Sequence, residues 1–160
     1  MTECPSAEVR FDPVRAADAE ALLAMARAFH AEDGHPLASS GEKAVLRIAA
    51  GEPLARAWIV RRGTESLGYL VVTLGYSVEY GGRDGFVDDL YIKPELRGQG
   101  VGERLLAFAL QQAAVLGINT LHLEVDTGNA GAQRLYRAAG FEETGRRLMR
   151  RRILPEETRR

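Results

Sequence analysis

The feature that most constrains the fold is a run of three glycines in alternate positions, where a strand-like segment meets a long amphipathic helix. Gly98, Gly100 and Gly102 follow the apolar run 86–92 and open the helical pattern. Glycine lacks the Cβ atom that keeps a ligand away from the backbone. Free N–H groups at a helix start attract phosphate, and the helix dipole adds to this attraction. The segment therefore predicts a strand-loop-helix unit that binds pyrophosphate, with Arg97 as a cation at its rim.

Two common nucleotide-binding loops do not fit this segment. A P-loop needs a lysine directly after its last glycine, and no lysine follows these glycines. A dinucleotide-binding fingerprint that starts at Gly98 needs a glycine at position 103, where the chain has Glu103. The pattern that does fit is Arg97-x-x-Gly100-x-Gly102.

A second motif lies further along the chain. It comprises a strand-like run at 121–125, Asn129, a short helical segment that contains Leu135-Tyr136, and the pair Gly140-Phe141. The two motifs, in this order, resemble the coenzyme A loop and the second signature of the GCN5-related N-acetyltransferase (GNAT) family. The resemblance covers residues 86 to 141, a little over a third of the chain, and is closest to small-molecule, polyamine-type members.

The hydrophobic pattern predicts strands that alternate with helices. Capping-box spacing of Ser39 and Glu42 starts the second helix, and a polar connection is expected at 75–85. Such alternation, with antiparallel pieces at both ends, indicates an α/β fold with a mixed sheet. The resemblance implies a GNAT-like single domain over 1–160, with a mostly antiparallel sheet flanked by helices. The predicted strands are 9–12, 56–62, 67–74, 86–92, 120–125 and one or two within 141–154; the predicted helices are 16–30, 39–50, 100–116 and 129–139.

Charge and composition limit the partners and the location. A net charge of −1 gives no global argument for nucleic-acid or membrane binding. The arginines near the C-terminus are flanked by glutamates and are expected to be solvated strand edges or a dimer contact. The single cysteine, Cys4, excludes an internal disulfide and fits a reducing cytoplasm. The N-terminus lacks the pattern of a signal peptide, and no apolar run approaches the length of a membrane span.

The resemblance implies acetyl-CoA as the co-substrate and no metal. The glycine loop then holds the pyrophosphate, and the backbone of 90–92 pairs with the pantetheine arm as an added strand. Tyr136 is the acid that protonates the departing thiolate, since a phenol is a donor at pH 7. The coenzyme contacts expected on this basis are Leu90, Tyr91, Ile92, Arg97, Gly98, Gln99, Gly100, Val101, Gly102, Asn129, Ala132 and Tyr136.

Acetyl transfer to an amine also requires a proton acceptor, because the amine must be neutral to react. Asp88 and Asp89 are the candidates, and adjacent strand residues point to opposite faces, so they do not share one role. In polyamine-type members of the family the residue that matches Asp88 is the base, which leaves Asp89 to orient the amine or anchor the strand. Acidic loop residues are expected at the substrate site and favour a cationic substrate: Glu79, Glu32 and Asp33.

Structural roles for the same residues stay open at the level of sequence. Asp88 and Asp89 also fit ion-paired or capping positions, and Tyr136 has the helical spacing of a core residue. Glu124, inside an apolar strand, is expected to be a hydrogen-bonded structural carboxylate, with a role as alternative base left open. The histidines at 30, 35 and 122 have no metal-ligand spacing and are expected to be structural or exposed.

The sequence thus predicts a bacterial-type cytoplasmic acetyl-CoA-dependent N-acetyltransferase that transfers acetyl directly to a small cationic primary amine. The family is also the only basis for expecting a homodimer. One alternative is the same chemistry on a protein N-terminus or lysine, which an open groove would favour. Another is a non-catalytic coenzyme A-binding regulatory domain, against which the combination of Asp88, Asn129 and Tyr136 argues.

Overall fold

A computed structural model of the chain describes residues 8–154. A five-stranded sheet with the order β1-β2-β3-β4-β5 lies at its centre. The first four strands are antiparallel to their neighbours, and β5 joins β4 in parallel. The mixed, mostly antiparallel α/β sheet predicted from the sequence is therefore confirmed. The strands are β1 (Val9–Pro13), β2 (Ala55–Arg62), β3 (Glu65–Ser77), β4 (Gly82–Ile92) and β5 (Thr120–His122); the helices are α1 (Ala19–Glu32), α2 (Ser39–Ala49), α3 (Val101–Val115) and α4 (Ala130–Ala138), with 3-10 turns at Ala16–Asp18 and Pro94–Leu96.

Helices cover both faces of the sheet and produce two cores. Neighbouring residues of a strand point to opposite faces, so the continuous apolar runs of β2 and β3 supply both cores at once. Val60 and Leu70 belong to the core that contains α3, whereas Ile59 and Tyr69 belong to the core that contains α1. The α3 core includes Leu105 and Ala109; the α1 core includes Leu22, Met25 and Ala26.

The predicted polar connection at 75–85 was wrong, because most of it belongs to a long hairpin. β3 continues to Ser77 and β4 begins at Gly82, with Gly75 opposite Asp84 and Tyr76 opposite Arg83. Backbone pairing needs no apolar side chains, so the polar composition of this segment did not reveal the strands. At Gly85 a Cβ would come within 2.7 Å of the Thr73 carbonyl oxygen, so glycine permits the close approach of the strands.

Three smaller predictions also need correction. β5 covers only Thr120–His122, and no strand is assigned between 141 and 154, the last residue that the structure describes. The capping box at the second helix does not form, since Ala38 holds the N-cap position. Glu42 instead forms an ion pair with Arg27, with Nε and Oε1 2.6 Å apart.

The geometry of β4 creates a cleft beside the strand. β4 and β5 pair only over Asp84–Phe86 and Thr120–His122. Beyond Phe86, β4 continues to Ile92 with β3 as its neighbour on one side and no described strand on the other. The register between β3 and β4 shifts at Asp88: Val87 lies opposite Val72 and Asp89 opposite Val71, so Asp88 is the extra residue of a β-bulge. Bulges redirect side chains and strengthen the local twist. Among the described residues, no strand pairs with the outer edge of 87–92, so the backbone groups on that edge are open.

Candidate active site

A cleft of about 760 Å³ lies beside the open edge of β4. This volume is within the range of small-molecule sites. Its walls are β4, the C-terminal end of α1, the loop before α3, the segment 123–126 and α4. The cleft brings together most of the residues predicted from the sequence: Glu32, Asp33, Asp88, Asp89, Leu90, Tyr91, Ile92, Arg97, Gly98, Gly102, Asn129, Ala132 and Tyr136.

Four predicted residues do not line this cleft. Val101 is buried in the α3 core, and the Gln99 side chain donates to the carbonyl of Glu95 at 2.9 Å. Gly100 is the N-cap residue of α3. Glu79 lies apart from the cleft, and its two carboxylate oxygens accept from the guanidinium of Arg146 at 2.7 and 2.9 Å.

The glycine loop begins α3 through two left-handed residues. Gly98 and Gly100 have φ values of 74° and 75°, which other L-residues rarely adopt. A Cβ at either position meets no atom within 4 Å, so their conformation rather than crowding within the protein requires glycine. The first helical hydrogen bond runs from the Arg104 N–H to the Gly100 carbonyl at 3.1 Å. The N–H groups of Val101, Gly102 and Glu103 precede it and have no partner within the helix, as at any helix start.

Arg97 connects this loop to the end of α1. Its Nε donates to the Ile92 carbonyl at 3.0 Å, and its guanidinium lies over the Tyr91 ring, 5.8 Å from the centroid. The two outer nitrogens contact both oxygens of Glu32 at 2.6 and 2.9 Å. The Glu32 hydrogen bond raises the pKa of Arg97, and the same bond lowers the pKa of Glu32. Both side chains are nearly half exposed, so this pair contributes little to stability and an anion can compete for Arg97.

Asp89 is the buried member of the aspartate pair, with only 9% of its surface exposed. Its Oδ2 accepts from the Tyr69 hydroxyl at 2.7 Å and lies 3.1 Å from Nε2 of His30. Burial, followed by the charge of Asp89, raises the pKa of Tyr69, so the phenol keeps its proton and donates it. Asp89 therefore links β4 to β3 and to α1 from within the α1 face.

Asp88 lies at the wall of the cleft, where the bulge turns its side chain outward. Its side chain reaches solvent, yet protein surrounds it on several sides. Burial is the main cause that raises its pKa; the charges of Asp89 and Glu124 act in the same direction, and His30 opposes them. A carboxylate whose pKa is raised is a stronger base than an ordinary one, which is the property that proton abstraction needs.

Asn129 and Tyr136 occupy the opposite wall. The Asn129 side chain accepts from the Ala132 N–H at 3.0 Å and caps α4, which fixes the start of that helix. Tyr136, on α4, is half-buried and contacts the Phe141 ring edge-on at 6.1 Å between centroids. Burial raises the pKa of its phenol, so this group is protonated at neutral pH and able to donate.

The sequence did not predict that His30 and Tyr69 join the site. The histidines were expected to be structural or exposed, but His30 lines the cleft and contacts Asp89. His30 follows the fully buried Ala26 by four residues, which places it on the inward face of the helix. That spacing was a signal available in the sequence.

A second cavity, of about 1040 Å³, lies on the other side of the segment 123–125. His122 lines it, contacts the rings of Tyr80 and Phe86 at 5.0 Å between centroids, and has Nε2 3.3 Å from Oδ2 of Asp84. Within residues 8–154 no group of three or more His, Cys, Asp or Glu side chains is arranged to hold a metal ion. Over the same range, no helix combines the length and apolar character needed to cross a bilayer.

Comparison with known proteins identifies the family. Residues 20–141 match the acetyltransferase (GNAT) family. The chain belongs to this family. The matched range includes β4, the glycine loop and α4, so it contains the whole cleft apart from Arg150.

Individual GNAT relatives are similar over shorter stretches. Thialysine N-epsilon-acetyltransferase of Bos taurus is 34% identical over 100 residues, which cover 62% of this chain and 54% of the relative. The L-methionine sulfoximine/L-methionine sulfone acetyltransferase of Pseudomonas aeruginosa is 30% identical over 103 residues, 56% of this chain and 59% of the relative. The chain thus spans about half the length of the curated relatives it matches.

Solved structures match over nearly the whole chain. An integron cassette protein from the mobile metagenome of Cole Harbour Salt Marsh is 36% identical, covers 91% of both chains and gives a TM-score of 0.77. A CoA complex of the aminoglycoside N-acetyltransferase AAC(6')-Iy gives the same TM-score of 0.77 at 18% identity, covering 96% of this chain and 100% of that one. At that identity the second match concerns the fold alone.

Proposed function

We propose that this protein is an acetyl-CoA-dependent N-acetyltransferase that transfers an acetyl group directly to a small cationic primary amine. The observation that carries the proposal is a cleft lined both by the start of α3 and by a group of carboxylates. Family membership supports the acyl-transfer chemistry. The acidic residues Glu32, Asp33 and Asp88 at the cleft support a cationic acceptor.

The chain offers the groups that coenzyme A requires. The unpaired N–H groups at the start of α3 suit a pyrophosphate, and Gly102 leaves the surface next to them without a side chain. The open edge of 87–92 offers backbone groups to the amide-bearing pantetheine arm. Acetyl-CoA would supply the acetyl group as a thioester. Arg97 would turn from Glu32 towards phosphate, and Asn129 and Ala132 would form the far wall.

The side chains of the cleft then divide the proton chemistry. Asp88 accepts a proton from the acceptor ammonium, because it lines the cleft and its raised pKa makes it a stronger base than an ordinary carboxylate. Tyr136 donates a proton to the departing thiolate from the opposite wall. Asp89 anchors β4 through its contacts with Tyr69 and His30.

A panel of amines assayed with acetyl-CoA tests this function. The panel contains diamines and polyamines, thialysine, methionine sulfoximine, an aminoglycoside, and peptides with a free N-terminus or lysine. We expect thiol release that depends on the amine and is fastest with a small cationic primary amine. Release with the peptides alone would favour a protein acetyltransferase. Binding of acetyl-CoA in calorimetry without release on any amine would favour a regulatory coenzyme A-binding domain.

The sequence and the family resemblance also lead to three further predictions. We propose that residues 1–160 act as one domain, that the protein works in the cytoplasm, and that it forms a homodimer. Light scattering after size-exclusion chromatography measures the last of these, and a monomer at micromolar concentration would contradict it.

A further inference from the structure

His30 stands between the α1 core and the cleft. It lies near the C-terminal end of α1, and 26% of its side chain is exposed, so one part of the ring is held by protein and another reaches the cleft. Its Nε2 is 3.1 Å from Oδ2 of Asp89. The same oxygen accepts from the Tyr69 hydroxyl at 2.7 Å. The imidazole is therefore fixed in place by a buried carboxylate.

The contact with Asp89 suits one tautomer of the ring. With its hydrogen on Nε2, a neutral imidazole donates to Oδ2 of Asp89, beside the bond from Tyr69, and keeps Nδ1 as an acceptor. A carboxylate that is hydrogen-bonded to one ring nitrogen increases the basicity of the other nitrogen and stabilises an imidazolium. The His30–Asp89 pair has the composition of a proton-accepting dyad.

Asp88 needs such a neighbour if it works in repeated turnovers. It must return to the ionised form after each proton transfer, although burial and two nearby carboxylates favour its protonated form. A positive charge on His30 acts on Asp88 in the opposite direction and lowers its pKa. Both residues line the same cleft.

We propose that His30 is the second proton acceptor of the cleft: it takes the proton that Asp88 removes from the acceptor ammonium and releases it to solvent. This rests on the proposed function. The ammonium N–H bond breaks with its electron pair left on nitrogen, and the proton moves to a carboxylate oxygen of Asp88. It then moves to the imidazole of His30, which lines the same cleft and contacts Asp89. Loss of this proton to water restores both residues.

Other charged groups line the same cleft as His30. The pH profile of turnover therefore reports these groups together, and only its change on substitution is assigned to the histidine. The charged groups of the cleft are Asp88 and Asp89 from β4, Glu32, Asp33 and His35 at the end of α1, Arg97 before α3, Glu124 and Asp126 from the segment 123–126, and Arg150, while Tyr69 from β3 bonds Asp89.

The decisive variant is His30→Gln. The side-chain amide of glutamine donates a hydrogen to Asp89 from nearly the position of Nε2, so the contact with Asp89 is kept, but it binds no proton near neutral pH. We expect kcat to fall at least about ten-fold, within the usual range for lost proton transfer. The acetyl-CoA dissociation constant should stay within about two-fold of wild type. The acidic limb of the kcat profile should change its midpoint, and added imidazole should restore part of the activity of His30→Ala.

A matched control comes from the other histidine-aspartate pair on β4. His122 contacts Asp84 at 3.3 Å but lines only the second cavity. His122→Gln removes an imidazole from a similar pair, and we expect kcat and the pH profile to stay at wild-type values. Thermal unfolding of each variant verifies that it is folded.

Two results would overturn the proposal. Wild-type kcat and pH profile in His30→Gln would show that the ring only supports Asp89. A loss of activity with an unchanged pH profile and no recovery of His30→Ala in imidazole would show a purely structural role. Failure of the proposed function is distinguishable, because the wild-type enzyme itself would then release no thiol with any amine.

Discussion

At the scale of single residues, two adjacent aspartates have opposite environments because one of them is the extra residue of a bulge. In a regular strand their side chains would point to opposite faces, which the sequence already implied. At the bulge the side chain of Asp88 opens onto the cleft, whereas Asp89 is enclosed by Tyr69 and His30. No local sequence pattern marks this bulge, because it depends on the register with β3.

The first prediction concerns Asp88 in turnover. Asp88→Asn keeps the shape of the side chain and removes the proton acceptor, so kcat/KM should fall by about 10²–10⁴ near neutral pH. Raising the pH should recover part of the loss, because more of the amine is then neutral without help. Steady-state kinetics between pH 6 and about 9.5 measure this. The assignment fails if Asp89→Asn shows the recovery and Asp88→Asn does not.

The second prediction concerns the same residue in stability. Its pKa in the folded protein lies above the ordinary carboxyl value, chiefly through burial. The ionised carboxylate therefore destabilises the folded protein. This loss of folding free energy is complete at pH values above the raised pKa and absent at pH values below the ordinary carboxyl pKa. Asp88→Asn should make the protein more stable than wild type at neutral pH, and the difference should vanish in acid. Urea unfolding at a series of pH values measures it, and a constant difference would contradict the explanation.

Asp89→Asn provides the opposite case. The new asparagine has an NH₂ group in place of one carboxylate oxygen, and this buried donor lacks a partner. The hydrogen bonds from Tyr69 and His30 also become weaker, so the free energy of unfolding should drop by about 1–3 kcal/mol. The same urea experiment measures this loss. A variant as stable as wild type would show that the buried carboxylate is not a structural centre.

The next prediction concerns Tyr136. Tyr136→Phe removes one hydroxyl and keeps the ring contact with Phe141, so the protein should stay folded. Turnover should fall about ten-fold, the scale of a modest general-acid contribution, while acetyl-CoA affinity is unchanged. Stopped-flow turnover and calorimetry on one preparation separate the two quantities. Full activity with every amine would identify Tyr136 as a packing residue.

At the scale of elements, the predictions succeeded where a local sequence motif determines the backbone. The glycines before α3 and the helix predicted over 129–139 are specified by neighbours in the chain, and both were recognised, although the cap of α4 by Asn129 was not predicted. The extension of the β3–β4 hairpin through 75–85 and the short length of β5 were not predicted, since pairing between distant strands determines them. The role of His30 was missed for the same reason, because Asp89 is 59 positions away.

The start of α3 gives a prediction with an internal control. Gly100→Ala forces a Cβ into a left-handed conformation and should cost about 1 kcal/mol of folding free energy. Gly102 has no positive φ, and a Cβ there would only contact Leu135 Cδ2 at 3.8 Å. Gly102→Ala should therefore fold as well as wild type. If the helix start binds phosphate, Gly102→Ala should nevertheless weaken the binding of acetyl-CoA, because the added methyl group enters the cleft. Chemical unfolding and calorimetry distinguish the two effects; equal stability of both variants would contradict the conformational argument.

At the scale of the whole molecule, the cleft exists because one strand continues after its neighbour has ended. β4 is supported on one side by β3 and is open on the other beyond Phe86. No single segment of the sequence reveals that β3 supports one side of β4 or that β5 stops pairing with its other side. Only the family resemblance anticipated it, by implying that a ligand adds to the strand.

This geometry predicts a local protection from hydrogen exchange. Acetyl-CoA should slow deuterium uptake in the peptides that contain 87–92, because the outward-facing N–H groups gain partners or lose access to water. The central part of β3 is already paired on both sides by β2 and β4, so its uptake should not change. Mass spectrometry with and without the coenzyme measures both. Unchanged uptake at 87–92 would show that the coenzyme does not bind along the strand edge.

Main-chain groups form one part of the cleft, so substitutions there and elsewhere should have different effects. The helix start and the open strand edge present N–H and C=O groups that every residue carries, so most substitutions that preserve the backbone leave them in place. The opposite end of the cleft depends on individual side chains, above all Asp88 and His30. A library of single substitutions should therefore separate into two classes. Substitutions at the side-chain end should change the acceptor preference, and substitutions at the main-chain end should be nearly silent, except where a glycine holds a left-handed turn or, as at Gly102, leaves the ligand surface without a side chain.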